Sequence, residues 1–340
     1  MDSSFGKSGA EGRGSLHLCV VVPCYNEEEV LPETCRRLAA KLTALVAAGT
    51  ISPASRVLFV DDGSRDRTWE LICQAHDNPT AFDAKCEPGM LGGIRFAHNQ
   101  GHQNALYAGL MEALRRGFDA AVSLDADLQD DIDAIDEMVA KHLAGAEIVY
   151  GVRDSRETDT AFKRTTALAF YRVMAMLGVE TVSNHADYRL MGRRALSALS
   201  QYQEVNLFLR GIVPALGFKT DAVYYARAER FAGESKYPLG KMISFALEGI
   251  TSFSVKPIRW VTVLGLISLL VSAGMLVYTL VSVIQGHVVA GWSSLMISIW
   301  LVGGLTMVSL GIVGEYVGRI YLESKHRPRY IIAERTDETE

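Results

Sequence analysis

Short β-branched runs alternate with amphipathic stretches over the first 150 residues of the chain. Leu16–Val22 (LHLCVVV), Arg56–Val60 (RVLFV), Leu91–Phe96, Ala120–Leu124 and Glu147–Tyr150 are short apolar segments bounded by turn residues, the pattern of buried strands. Between them the pattern predicts helices: from about Glu28 to Val46, around Trp69, Leu71 and Ile72, from His102 to Arg116, and from Ile132 to Leu143. Ser64 or Asp66 would cap the second of these. Strands alternating with helices at this spacing predict an α/β domain, a mostly parallel sheet with helices on both faces. In such sheets ligands bind beyond the carboxyl ends of the strands, where the polar loops of this chain also fall.

The pattern changes near residue 260. From Val261 to Gly314 there are 54 residues without Asp, Glu, Lys or Arg. One bilayer crossing takes about 20 apolar residues, so the run is long enough for two. Gln285-Gly286-His287 breaks it, which predicts transmembrane helices over 261–284 and 288–314. Lys256 and Arg259 precede the first; Arg319, Lys325, Arg327 and Arg329 follow the second; the turn between carries no Lys or Arg. By the positive-inside rule, the large N-terminal part and the tail at 315–340 are then both cytoplasmic, on an expected multi-pass protein of the cell inner (plasma) membrane. Pro238–Val255 mixes apolar residues with Lys241 and Glu248, which suits either a helix lying at the interface or ordinary packing on the domain. Gly303, Gly304, Gly311 and Gly314 would allow close helix packing, within one hairpin or between chains of a homo-oligomer.

A net charge of −5 argues against a partner bound by bulk positive charge, and so against nucleic acid. The five cysteines form no C-x-x-C pair and read as reduced thiols rather than disulfides or a zinc site. Residues 1–15 are rich in Gly and Ser and read as a disordered tail rather than a signal peptide.

The turn after the first strand is Pro-Cys-Tyr-Asn-Glu-Glu, not G-x-G-x-x-G, and no Walker A sequence occurs, so hydride-transfer and P-loop chemistry are disfavoured. The strand ends carry carboxylates instead: Glu27, then Asp61 and Asp62, then Asp125 and Asp127. In an extended Asp125-Ala-Asp127-Leu-Gln129 segment, residues two apart point the same way, so three oxygen donors could face one hard cation such as Mg²⁺ or Mn²⁺. The alternative is an acidic, solvated strand end before a helix N-terminus. Asp61-Asp62-Gly63-Ser64 could equally be a plain turn.

The ordered series VVPCYNEEE (21–29), VDDGSRDRT (60–68), NQGHQNALYAGL (99–110) and DADLQD (125–130) resembles the family-2 glycosyltransferases of GT-A fold. Further along, GVRDSRETDTAFKR (151–164), DYRLMGRRAL (187–196), AGESKYPLGKM (232–242), SFSVKPIR (252–259) and GEYVGRIYLESKHRPRY (314–330) are similar to its polyprenyl-phosphate branch, which includes dolichol-phosphate mannose synthase and bactoprenol glucosyltransferases. The resemblance spans roughly residues 16–330.

It implies a Rossmann-like GT-A domain over 16–235, a juxtamembrane segment at 236–260 and the two spans. It also implies an inverting, metal-dependent hexosyltransferase that moves a sugar from a nucleotide-sugar donor, UDP-glucose in the first instance, to a polyprenyl phosphate for cell-envelope glycan or lipid modification. Pro23, Tyr25, Glu27 and Asp62 match positions that hold the nucleotide, with Asp61 beside them. Asp125, Asp127 and Gln129 match the Mg²⁺ or Mn²⁺ site. Arg153 and Arg164 match the grip on the acceptor phosphate, a role that suits the planar guanidinium fork. Arg230 and Lys236 match the basic loop over the diphosphate, and Asp187 a residue near the reaction centre. A phosphate monoester is largely a dianion at neutral pH, so Asp187 is expected to orient rather than to remove a proton. One departure is local: Asp130-Asp131-Ile132-Asp133 stands where the family often has prolines, so a changed helix start is expected with an unchanged metal loop. A processive polysaccharide synthase, a non-catalytic membrane scaffold and a two-span transport subunit are the rival readings.

Overall fold

The computed structural model describes residues 15–153, 185–204, 207–226 and 291–337, with isolated helical positions between 261 and 285. Two compact units result: Met1–Thr166, Thr181–Lys236 and Pro328–Glu340 form one, and Ala167–Glu180 with Tyr237–Arg327 form the other.

The first unit is built on one eight-stranded sheet. Its strands are β1 (Leu18–Cys24), β2 (Arg56–Asp61), β3 (Leu91–Phe96), β4 (Ala120–Ser123), β5 (Ile148–Arg153), β6 (His185–Gly192), β7 (Thr220–Tyr225) and β8 (Ile332–Arg335). The spatial order is β7-β5-β6-β4-β1-β2-β3-β8. The β1, β2, β3 and β4 core is parallel, while β6 runs antiparallel to both β4 and β5 and so reverses the chain inside the sheet. The sheet is therefore mixed, with its parallel part where the pattern placed it. β1 runs on through Pro23 and Cys24 on the β2 side, whereas its pairing with β4 stops at Val21 opposite Ser123. A proline has no N–H to give a ladder, and Pro23 stands beyond the last β4 partner.

Helices α1 (Leu31–Ala47), α2 (Thr68–Asp77) and α4 (Ala134–Leu143) cover one face. On α1 the buried positions are Leu31, Cys35, Leu38, Leu42 and Leu45, a stripe at helical spacing that meets Val20, Val22, Val57 and Phe59 of the sheet. α3 (His102–Arg115) lies on the opposite face and comes very close: a Cβ at Gly109 would stand 2.2 Å from Val21 Cγ1 and 2.9 Å from Val60 Cγ2. The short helices α5 (Arg193–Leu199) and α6 (Leu209–Ala215) follow β6, and α5 packs beside α3. α4 starts two residues later than the pattern predicts, after the Asp130–Asp133 turn.

In the second unit α7 (Trp292–Ser324) is a single 33-residue helix. Among the described residues it is the one helix long and apolar enough to cross a membrane, over Leu301–Ser324. At 1.5 Å per residue these 24 residues extend about 36 Å, against a hydrocarbon core of about 30 Å. The helix does not stop at Gly314 but continues through Glu315 and Arg319, which pair at 3.2 Å one turn apart. The described positions of 261–284 are helical, and the two-span hairpin as a whole lies outside the described residues.

The tail returns to the first unit. β8 adds an antiparallel edge strand to β3. Tyr330 stacks on Phe96 at 5.1 Å, Trp69 Nε1 donates to Glu334 Oε2 at 2.9 Å, and Arg335 pairs with Glu112 at 2.7 Å. Among the described residues after Gly314 the chain is thus helical to Ser324 and joins the sheet at Ile332–Arg335.

Candidate active site

The carboxyl ends of β1, β2, β4 and β5 open on one edge of the sheet. Because β6 is antiparallel, its amino end lies on that same edge. Ser123 pairs with Arg189, so two residues further along, Asp187 falls opposite Asp125.

Two loops clasp each other at the edge. Asn26, at a left-handed φ of 54°, takes its backbone N–H to Ser64 Oγ (3.0 Å) and receives the Arg65 N–H on Oδ1 (2.9 Å). Glu28 and Asp66 exchange bonds with the opposing backbone in the same way. Pro23 is buried in β1, Tyr25 is exposed, and the Glu27 carbonyl accepts the first amides of α1. Asp61 is fully buried; it accepts the Ser64 N–H and lies 3.3 Å from Arg95 Nε. Asp62 spends both oxygens on the next loop, accepting from Gln100 N (2.6 Å), Gly101 N (2.9 Å) and Asn99 Nδ2 (2.9 Å). Burial pushes both carboxyls up from their ordinary value. Gly63, at φ 66°, is needed here because a Cβ would meet Asn99 N at 2.8 Å.

Along the loop after β4, burial alternates: Asp125, Asp127 and Gln129 are partly exposed, while Ala126, Leu128 and Asp130 are buried. That is the two-residue alternation expected from the sequence, although Leu128 has a left-handed φ of 56° and Asp127 Oδ1 caps the Gln129 N–H. Burial, with the Asp187, Asp130 and Asp127 charges, pushes the Asp125 carboxyl up to about 6 against the pull of His102. Two carboxylates and an amide oxygen on one side of a loop fit a hard divalent cation. Among the described residues no group of three or more His, Cys, Asp or Glu gathers at metal-binding distance, this loop included, so the donor set offered here is two carboxylates and one amide oxygen.

Asp187 sits in a cationic cradle. Oδ1 accepts from Arg189 Nη2 at 2.7 Å and Arg210 Nε at 3.3 Å; Oδ2 accepts from Arg210 Nη2 at 3.1 Å and Gln103 Nε2 at 3.3 Å. His102 Nε2 bridges this cradle to the loop, 3.5 Å from Asp187 Oδ2 and 3.6 Å from Asp125 Oδ1. Burial alone would raise the Asp187 carboxyl, but His102, Arg210 and Arg189 together hold it well below the carboxylate range. Burial opposes the charge on His102, yet its bond to Asp187 and the Asp125 charge raise it to about 9. Ser123 Oγ donates to the Asp187 carbonyl, tying β4 to β6 at this point.

Arg153 ends β5 and reaches Asp130 with Nη2 at 3.0 Å and Nε at 3.3 Å. Of the sequence-predicted residues, Asp125, Asp127, Gln129, Arg153 and Asp187 therefore share one edge with Tyr25, Glu27, Asp61 and Asp62. Arg164, Arg230 and Lys236 lie outside the described residues. Sequence reasoning assigned no role to His102, Gln103, Arg189 or Arg210. A polar His-Gln pair opening the helix that follows the third strand and its loop, and an arginine two residues from Asp187, were signals within reach; Arg210 carried none.

Residues 19–200 match the family model described as glycosyl transferase family 2. The chain is 52% identical over 315 residues to the uncharacterized glycosyltransferase YkoT of Bacillus subtilis, covering 93% of this chain and 90% of that protein. It is 39% identical over 326 residues to the bactoprenol glucosyl transferase of Shigella phage SfV, covering 93% and 98%. A second Bacillus subtilis protein, the uncharacterized glycosyltransferase YkcC, is 39% identical over 321 residues, covering 93% of each.

Proposed function

The chain belongs to the family 2 glycosyltransferases, and on that premise we propose that it transfers a sugar from a UDP-sugar, UDP-glucose first among candidates, to a polyprenyl phosphate at the cytoplasmic membrane face. The observation that carries this reading is the meeting of the Asp125–Gln129 loop, the Asp187 cradle and Arg153 at one sheet edge. The likeness to a bactoprenol glucosyl transferase over nearly the whole chain supports the choice of acceptor.

In the proposed reaction an oxygen of the acceptor phosphate attacks the anomeric carbon. The bond from that carbon to the donor diphosphate breaks, its electron pair leaves with the nucleoside diphosphate, and the configuration inverts. A divalent cation, Mg²⁺ or Mn²⁺, held when bound by Asp125, Asp127 and Gln129, supplies charge neutralisation to the leaving diphosphate. Pro23, Tyr25, Glu27, Asp61 and Asp62 frame the nucleotide pocket; Asp62 does so by setting the backbone of residues 99–101. Arg153 and Arg164 receive the acceptor phosphate, and Arg230 and Lys236 close over the diphosphate. With a second pKa of about 6, the phosphate reaches the site already ionised. Asp187, its oxygens committed to two arginines, Gln103 and His102, is a poor proton acceptor and an effective orienting group.

A lipid acceptor calls for membrane attachment. The charge-free run from Val261 to Gly314 and its basic flanks support two spans with both ends cytoplasmic, and the apolar length of α7 supports one of the two directly.

The test is a donor screen on the full chain in detergent with a short-chain polyprenyl phosphate and Mg²⁺ or Mn²⁺, detecting sugar-lipid by mass. One UDP-sugar giving product establishes reaction and donor together. Nucleotide binding without product from any donor would overturn the acceptor assignment.

A further inference from the structure

Asp130 is the one residue of the loop after β4 that turns fully inward while carrying charge. Its side chain is 1% exposed, and three donors converge on a single oxygen: Tyr225 O–H at 2.6 Å, Arg153 Nη2 at 3.0 Å and Arg153 Nε at 3.3 Å. The other oxygen, Oδ2, is buried and has no hydrogen-bond partner among the described residues. A carboxylate placed for stability alone would be expected to use both oxygens, because an unpaired buried one is costly.

Asp130 and its two partners come from three places in the chain. Arg153 ends β5, Tyr225 ends β7, and Asp130 directly follows Gln129 of the candidate metal loop. Tyr188, next to Asp187 on β6, closes the arrangement: its ring meets Tyr225 edge-on at 5.4 Å, and its hydroxyl donates to the Asp131 carbonyl at 2.8 Å. Arg153 itself keeps 29% of its side chain exposed. Its Nε and Nη2 are given to Asp130, which fixes the plane of the guanidinium and leaves the Nη1 edge uncommitted to that carboxylate. A strand-terminal arginine without such a partner would sample many rotamers.

We propose that Asp130 is a positioning residue for the acceptor: it acts through Arg153, presetting the direction of that guanidinium toward the phosphate of the lipid substrate. The inference rests on the acceptor role of Arg153 given above. Tyr225 sharpens the same joint by fixing the carboxylate oxygen that Arg153 grips.

The experiment is steady-state kinetics on the full chain in detergent, with short-chain polyprenyl phosphate and the UDP-sugar that gives product in the donor screen, for Asp130→Asn, Arg153→Gln and the double variant. Asp130→Asn is expected to raise the acceptor KM about tenfold, the loss of one charge-assisted pair, with the donor KM within about twofold. In the Arg153→Gln background the same change is expected to add nothing further. An equal additional rise in that background, or a fall in kcat with both KM values unmoved, overturns the proposal, since a merely structural carboxylate would behave so. If Asp130→Asn does not fold, Tyr225→Phe carries the test: a rise in acceptor KM of about threefold supports it, and no change overturns it. Absence of product from the wild-type chain with every donor overturns the acceptor reading itself, and the proposal falls with it; product from the wild type with unaltered kinetics in Asp130→Asn overturns the proposal alone.

Discussion

Asp187 and Arg189 stand two residues apart on β6, on the same face, and meet at 2.7 Å with side chains only 6% and 1% exposed. Removing one partner of such a pair leaves a charge buried without compensation, at a cost of about 3–5 kcal/mol. Arg210 still reaches Asp187, so Arg189→Met is expected at the lower end, near 3 kcal/mol, or a fall in Tm of about 6–12 °C. The double variant Asp187→Leu/Arg189→Met should be no more stable than Arg189→Met, because Arg210, Gln103 and His102 then lose their carboxylate partner as well. Thermal unfolding of the three proteins checks it. A double variant that regains most of the loss would mean that Asp187 and Arg189 form a self-contained pair and that the other three groups add little.

α3 can bring His102 and Gln103 to Asp187 only because Gly109 lets the helix lie against the sheet. The Cβ of Gly109→Ala would stand 2.2 Å from Val21 Cγ1, so the helix must shift or Val21 must move. Overpacking of this kind costs about 1–3 kcal/mol. The expected outcome is a lowered Tm together with reduced turnover, since displacement of α3 also moves His102. Unchanged turnover with a lowered Tm would show that the position of His102 tolerates the shift.

Asp127→Asn keeps the size of the side chain and removes one ionised oxygen from the proposed cation site. Turnover is expected to fall at least about 100-fold, with the unfolding temperature nearly unchanged, because Asp127 is partly exposed on its loop. Chelation should abolish activity in the wild type, and excess Mg²⁺ or Mn²⁺ should restore it. Full activity in Asp127→Asn would remove the metal assignment.

The local half of this fold was readable from the chain. Leu91–Phe96 is a strand with the predicted bounds, α3 differs from its predicted span by one residue, and β2 by one. These elements bury uniform apolar runs or clear stripes, so composition and structure agree. β6 was not readable as a strand: HADYRLMG carries an aspartate and an arginine at buried positions, and its polarity disappears only because the two neutralise each other. β8 was not readable either. Its partner β3 lies more than two hundred residues earlier, and IAER shows no strand alternation of its own. The gathering of the strand-end carboxylates at one edge was legible, since each follows a predicted parallel strand. The cations that control them were less so, because His102, Arg189 and Arg210 converge on Asp187 from α3, β6 and α6.

The tail can be tested through Glu112, which is 4% exposed on α3 and collects Arg115 and Arg335 at 2.7 Å and Arg116 at 2.8 Å. Burial alone would raise this carboxyl, but the arginines outweigh it and hold it at about 2. The folded value lies below the roughly 4.3 of an unfolded glutamate, so the stabilisation, about 2–3 kcal/mol, is complete above about pH 5. It is lost as pH falls through 4 toward 2, when the folded carboxylate finally takes its proton. Comparing wild type with Glu112→Gln, the gap in unfolding temperature should therefore be constant from pH 8 to about 5.5 and shrink steadily below about 4. Arg335→Ala should narrow that gap at neutral pH, because it removes the one partner of Glu112 supplied by β8. A gap that persists undiminished at pH 3, or one that Arg335→Ala leaves untouched, would mean that the tail is held to the sheet by its β3 ladder and the Tyr330–Phe96 stack rather than by this charge.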